Sequence, residues 1–275
     1  MTAEPKVGTG LDLQLIELST PGAHLALVAL NRPEEMNPLD WDAVRALGRV
    51  FDELAEDDSV RVVAITGRGK AFSAGGDMKK YRRLQRDPVD FPKFLTDFHD
   101  LVERISQYPK PYVALVNGIT VAGGLELLLA CDLAIAGTSA RIGDAHQPFG
   151  QMGGGGVLTL LAHYVGIARA RELLFTGELL SADDAARWGI VSRTTPDEDL
   201  IDAGVRFAEE VASKSPLAIA NAKRVANAVY WSGASIKQAL HVEREATLRY
   251  CLTSDDALIG LDAFAAKERP VFTGR

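Results

Sequence analysis

Glu126 is the residue most out of keeping with its neighbours. It lies in the stretch 113–132, VALVNGITVAGGLELLLACD, where an apolar strand runs through a turn and a double glycine into a helix that is apolar except for this carboxylate. Glycines that feed a helix N-terminus present unpaired backbone N–H groups to whatever lies above them. Glu126 comes three residues after Gly123, so about one helical turn separates an N–H donor from a carboxylate on the same face. Such a pair could hold a developing oxyanion and move a proton beside it. A glutamate near a helix N-terminus is also electrostatically favoured without any chemistry. Its setting favours chemistry, since Leu125, Leu127, Leu128, Leu129 and Ala130 surround it, and a carboxylate in such a helix is rarely buried without a partner or a function.

A second glycine turn, AFSAGGD at 71–77, follows an apolar strand and precedes a helix. In a parallel sheet both turns lie at the carboxyl ends of their strands, the edge where ligands bind, and the N–H groups of Gly76 and Gly123 could converge on one oxygen. Neither turn fits GxGxxG or GxxxxGK[ST], which argues against dinucleotide and nucleoside triphosphate ligands. The run GGGG at 153–156 could form a nest for an anion or water, or serve only as a tight helix entry.

The elements that must position these groups are legible from periodicity. Residues 1–10 read as a leader. Leu11, Leu13, Leu15, Ile16 and Leu18 begin an alternating strand, TPGA at 20–23 turns it, and 24–30 returns as the second arm of a hairpin. A loop at 31–38 precedes a helix over 40–56, a buried strand at 60–66, a helical stretch from 78 to 108 broken near Asp87 and Pro88, and a strand at 111–116. After the helix at 123–130 come a short strand at 132–136, a long connection from 143 to 156, and a strand near 191–196. The rest, 197–213, 216–230, 234–250 and 255–267, has helical periodicity. Strands alternating with helices imply βαβ units and a mostly parallel, doubly covered sheet, so the fold class is α/β. Residues 1–196 are expected to form the α/β core domain that carries the site. Residues 197–275 are expected to form a helical segment serving assembly and covering the pocket.

Composition narrows the partners. The 275 residues suffice for one large domain, and 47% hydrophobic with 24% charged residues is ordinary for a globular protein. A net charge of -7 argues against nucleic acid and anionic membranes as main partners. Cys131 and Cys251 form no metal-spaced cluster, no targeting pattern opens the chain, and no apolar run approaches a membrane span of roughly 20 residues. The expectation is a cytoplasmic protein without a metal.

Four blocks in order make the pattern specific: LNRPEEMNPLD at 30–40, GKAFSAGGDMKK at 69–80, PKPYVALVNGITVAGGLELLLACDLAIA at 109–136 and VGIARARELLFTGELLSADDAARWGIVSRTTP at 165–196. The chain resembles the crotonase family, the enoyl-CoA hydratase/isomerase superfamily. The resemblance implies a spiral of ββα units with a C-terminal helical region, an acyl-CoA thioester ligand, and assembly as a homotrimer or hexamer. It also implies that the Gly76 and Gly123 amides form an oxyanion hole. No cofactor is expected, coenzyme A entering as part of the substrate. By the same resemblance Arg32 and Lys79 or Lys80 meet coenzyme A phosphates, and Ala74, Asp77 and Met78 in the AGGD block line the ligand site. Gly154 helps to hold a water, while Phe264 and Lys267 contact coenzyme A, in some members from a neighbouring subunit.

One departure bears on mechanism. Typical hydratases carry a second acid twenty residues after the position of Glu126, where this chain has His146, preceded by Ala145 instead of proline. Histidine can act as acid or base near neutral pH, so Glu126 and His146 could share the two proton transfers of hydration. Asp144 could orient or replace His146, although a solvated loop carboxylate is the plainer reading. His24, His99, His163 and His241 are assigned no role. Hydration of a 2-trans-enoyl-CoA is the leading expectation. The alternatives are 3-enoyl to 2-enoyl-CoA isomerisation, carbon–carbon cleavage of a β-diketone, and a non-catalytic acyl-CoA binding protein.

Overall fold

Runs such as LALVAL and YVALV have no polar face, which suits strands covered on both sides. In a computed structural model, which describes residues 14–275, these runs are central strands of the larger of two sheets. A hairpin of β1 (Ile16–Gly22) and β2 (Leu25–Leu30) leads into α1 (Trp41–Glu56). Next come β3 (Val62–Gly67), β4 (Ala71–Ser73), α2 (Met78–Leu84) and α3 (Asp90–Gln107). The following turn contains β5 (Tyr112–Val116), β6 (Ile119–Val121) and α4 (Gly123–Ala130). A third contains β7 (Leu133–Gly137), β8 (Arg141–Gly143), α5 (Val157–Val165) and α6 (Ile167–Thr176). Then β9 (Leu179–Ser181), α7 (Ala182–Trp188) and β10 (Arg193–Thr195) precede α8 (Leu200–Ala212), α9 (Pro216–Tyr230), α10 (Ile236–Thr253) and α11 (Asp255–Ala266).

Each ββα turn gives one strand to each sheet. The larger has the order β1-β2-β3-β5-β7-β10 and the smaller β4-β6-β8-β9. Pairing is parallel except between β1 and β2 and between β8 and β9. Alternate residues of the large sheet enter different cores. Ala26, Val28, Val63, Ile65, Ala114 and Val116 face the main core with α1, α3 and α4, whereas Leu25, Leu27, Val62, Ala64, Val113 and Leu115 face Leu200, Ala203, Ala208 and Val211 of α8. The expected helical segment at 197–275 therefore begins with a helix that forms one cover of the sheet.

The small sheet is absent from the periodicity reading, because strands of three residues such as β4, β6, β8 and β9 are too short to show alternation. The turn expected at 20–23 lies later, since β1 continues through Gly22. The connection from 143 to 156 contains a single 3-10 turn, Gln147–Phe149. The leader at 1–10 and the strand start at Leu11 and Leu13 lie outside the described residues. No helix among the described residues is long and apolar enough to cross a membrane.

Candidate active site

The two glycine turns abut. The Gly75 carbonyl accepts from the Leu39 N–H at 2.8 Å and the Met36 carbonyl accepts from the Ala74 N–H at 2.9 Å, which stitches the 31–40 loop to the first turn. Gly75 has φ +89, and a Cβ there would lie 2.7 Å from the Ala122 Cβ and 3.1 Å from the Gly123 nitrogen, so only glycine allows this approach. Ala122, the residue before α4, has φ 50 and ψ -122, a conformation that costs an L-residue on the order of 1–3 kcal/mol. Its N–H donates to the Asp144 carbonyl at 2.9 Å, helping to hold it there. The amides of Gly76 and Gly123 donate to no other described residue, and both residues line one cavity of about 360 Å³.

Glu126 points into that cavity and is 2% exposed. Its Oε1 accepts from the Gly155 N–H at 2.7 Å and more weakly from the Val157 N–H at 3.4 Å. Burial pushes its carboxyl above the ordinary glutamate value, opposed in part by the Gly155 N–H, the nearby His146 and the Val157 N–H. A carboxylate raised in this way is a stronger base than an ordinary glutamate, the property a proton acceptor needs. The amide that clasps Glu126 thus belongs to the glycine run, one residue after Gly154, the residue expected to help hold a water. Gly154 lines the cavity, and its carbonyl accepts from His99 Nε2 at 2.6 Å. His99, assigned no role from the sequence, thus anchors the glycine run.

Opposite Glu126 stands His146. A Cβ on Gly153 would lie 3.2 Å from Glu126 Oε1 and 3.3 Å from His146 Cε1, so the two side chains bracket the same glycine. His146 Nδ1 donates to Asp144 Oδ1 at 2.7 Å. Burial disfavours the imidazolium, but the hydrogen bond to Asp144 and the charges of Asp144 and Glu126 outweigh it and raise the His146 pKa above the ordinary value. Asp144 is 2% exposed, which corrects its reading as a solvated loop residue. The cause is the intervening Ala145, whose φ of 52 turns the chain so that residues two apart face each other.

A family model for enoyl-CoA hydratase/isomerase matches residues 21–275. The chain belongs to the enoyl-CoA hydratase/isomerase family. It is 32% identical to a mitochondrial enoyl-CoA hydratase of Pongo abelii, over 90% of this chain and 83% of that one. It is 30% identical to a short-chain-enoyl-CoA hydratase of Clostridium acetobutylicum, over 89% of this chain and 92% of that one. Among solved structures, an enoyl-CoA hydratase from Bacillus anthracis superposes with a TM-score of 0.89 at 31% identity, covering 95% of this chain and 100% of that one. The crotonase fold implied by the four sequence blocks is the fold of this chain.

Other residues singled out on this hydratase/isomerase pattern divide. Ala74 and Met78 line the cavity with Gly76 and Gly123. Asp77 serves its own helix instead, its carboxylate capping α2 through the N–H groups of Lys79 and Lys80 at 2.9 and 3.2 Å. Lys79 is exposed at the start of that helix. Arg32, expected at a phosphate, instead donates to Asp40 Oδ2 at 2.8 Å and to the Pro38 carbonyl at 2.7 Å, with Lys80 on the same Asp40 oxygen at 2.6 Å. An inward-facing Asp40 needs those cations. Phe264 is 85% exposed on α11, and neither it nor Lys267 lines the cavity of its own chain. Tyr81, Phe94, Leu95 and Phe98 form one wall of the cavity, all four within the segment 81–105 that the sequence marks as pocket-forming. The three-and-four spacing of Phe91, Phe94, Leu95 and Phe98 marks one face of α3, but not what that face meets.

Proposed function

We propose that the protein hydrates a 2-trans-enoyl-CoA thioester. The observation that carries this reading is a pair of proton carriers, the buried Glu126 and the half-buried His146, flanking one cavity beside two unengaged amides. Shifting a double bond needs one base, whereas adding water needs a group that takes a proton and a group that gives one. The thioester oxygen accepts from the Gly76 and Gly123 N–H groups. Glu126 takes a proton from water as the water oxygen bonds to C3, and the C2–C3 π electrons move onto the thioester as an enolate. The two amides stabilise that charge, each such donor being worth on the order of 3 kcal/mol. His146, charged and oriented by Asp144, gives its proton to C2, and the thioester carbonyl re-forms. Return of the proton from Glu126 to His146 completes the cycle.

Crotonyl-CoA in deuterated water tests this directly. The expected product is 3-hydroxybutanoyl-CoA with one deuterium at C2. Migration of the double bond in a 3-enoyl-CoA without hydration would assign an isomerase, and tight binding without either reaction would assign a binding protein.

Assembly as a homotrimer or a pair of trimers is part of the same proposal. It is supported by the large apolar side chains that α10 and α11 leave exposed, among them Ile236, Leu240, Leu252, Leu258, Leu261 and Phe264, because covering exposed apolar surface with a partner drives association. Light scattering on the purified protein should return a multiple of three times the 29.6 kDa chain mass.

A further inference from the structure

The walls around Glu126 carry more structure than hydration requires. Tyr81, Phe94 and Phe98 make a continuous run of ring contacts along the cavity, with centroids 6.4 Å apart for Tyr81 and Phe94 and 6.1 Å apart for Phe94 and Phe98. Phe91 supports the run from behind, edge-on to Tyr81 at 5.8 Å. Phe149 adds a fourth ring to the lining. The run passes directly beside the reacting centre. A Cβ on Gly123 would lie 3.7 Å from Phe98 Cε1, and one on Gly155 would lie 2.7 Å from it. One ring edge therefore borders both an amide proposed for the thioester oxygen and the amide that clasps Glu126. Glu126 and His146 are the charged side chains in a lining otherwise dominated by apolar groups.

We propose that the preferred substrates are thioesters bearing an aromatic ring on C3, that is, 3-aryl-2-enoyl-CoA and its hydrated 3-aryl-3-hydroxyacyl counterpart. This rests on the hydratase reading of the same site. A ring conjugated with the double bond is planar and rigid, so it is ordered against the wall with few rotors to freeze. Ring faces and edges attract one another beyond the area they bury. A four-carbon acyl group leaves most of the wall uncovered in a cavity of about 360 Å³. A long alkyl chain would cover it only by losing many rotamers.

Conjugation pulls the equilibrium of such substrates toward the enoyl form, so the test runs in the dehydration direction. Racemic 3-hydroxy-3-phenylpropanoyl-CoA and 3-hydroxybutanoyl-CoA are compared by kcat/KM through the rise in enoyl absorbance. The expected result is a preference for the aryl compound of about tenfold or more. Phe94→Leu should reduce the aryl-to-alkyl ratio by about two- to tenfold. If Phe94→Leu fails to fold, Phe149→Leu, whose side chain is 70% exposed, replaces it with the same expected direction. An equal or reversed preference in the wild type overturns the aryl assignment and leaves the hydratase reading intact. If neither compound is dehydrated, the reaction reading fails, and calorimetric affinities for cinnamoyl-CoA and crotonyl-CoA decide the aryl assignment. About tenfold tighter cinnamoyl binding upholds it, and equal binding overturns it.

Discussion

Replacing Glu126 by glutamine separates catalysis from architecture at the position on which the chemistry depends. Glutamine preserves shape and keeps an Oε1 acceptor for the Gly155 N–H, which now sits at 2.7 Å, so the glycine run stays clasped. It removes the ability to accept a proton from water, a capacity worth about 10²–10⁴ in kcat, or about 3–5 kcal/mol of barrier. KM for crotonyl-CoA should change little, because the amides of Gly76 and Gly123 are untouched. Stability should move the other way. Burial raises the Glu126 pKa in the folded chain. Its contribution to stability is therefore fully present below the ordinary glutamate pKa and is lost as pH rises through the raised folded value. The neutral amide carries no such dependence. Thermal unfolding of both proteins between about pH 4 and pH 8 should show the wild type losing ground to E126Q as pH rises. Two results refute the reasoning. A kcat within about tenfold of wild type removes Glu126 from the proton path, and a variant less stable than wild type at neutral pH makes the carboxylate a structural clasp.

Three further outcomes follow from the same contacts. In Gly155→Ala the new methyl would lie 2.5 Å from Glu126 Oε2 and 2.7 Å from Phe98 Cε1, so kcat should fall by about 10² or more with about 1–3 kcal/mol lost in denaturant unfolding. Asp144→Asn removes the charge that holds the His146 pKa up, so the alkaline fall of the kcat profile, where His146 loses its proton, should move to lower pH; an unmoved limb would exclude His146 as the acid. Arg32→Met leaves Lys80 as the remaining cation on Asp40 and should cost about 1.5–3 kcal/mol in unfolding free energy with an unchanged KM for acyl-CoA. A raised KM at unchanged stability would return Arg32 to a phosphate-binding role.

What could be read along the chain was whatever a contiguous segment expresses. The apolar runs of β2, β3 and β5 announce strands buried on both faces, because every position in them must avoid water. The charge of Glu126 inside LELLLA is costly wherever that helix is buried, so its anomaly shows without knowing its neighbours. The AGGD and VAGG turns likewise declare a close backbone approach. Other features depend on segments distant in sequence. Gly155 reaches Glu126 across 29 residues, and His99 reaches Gly154 across 55. The Asp144–His146 pair depends on the left-handed Ala145, a conformation alanine does not prefer and no local pattern predicts. Strands β4, β6, β8 and β9 exist because each three-residue segment finds an edge to pair with, not because its residues alternate. Arg32 went to Asp40 for the same reason: a cation's partner is chosen by the carboxylate that folding brings beside it, and the linear order of residues does not contain that choice.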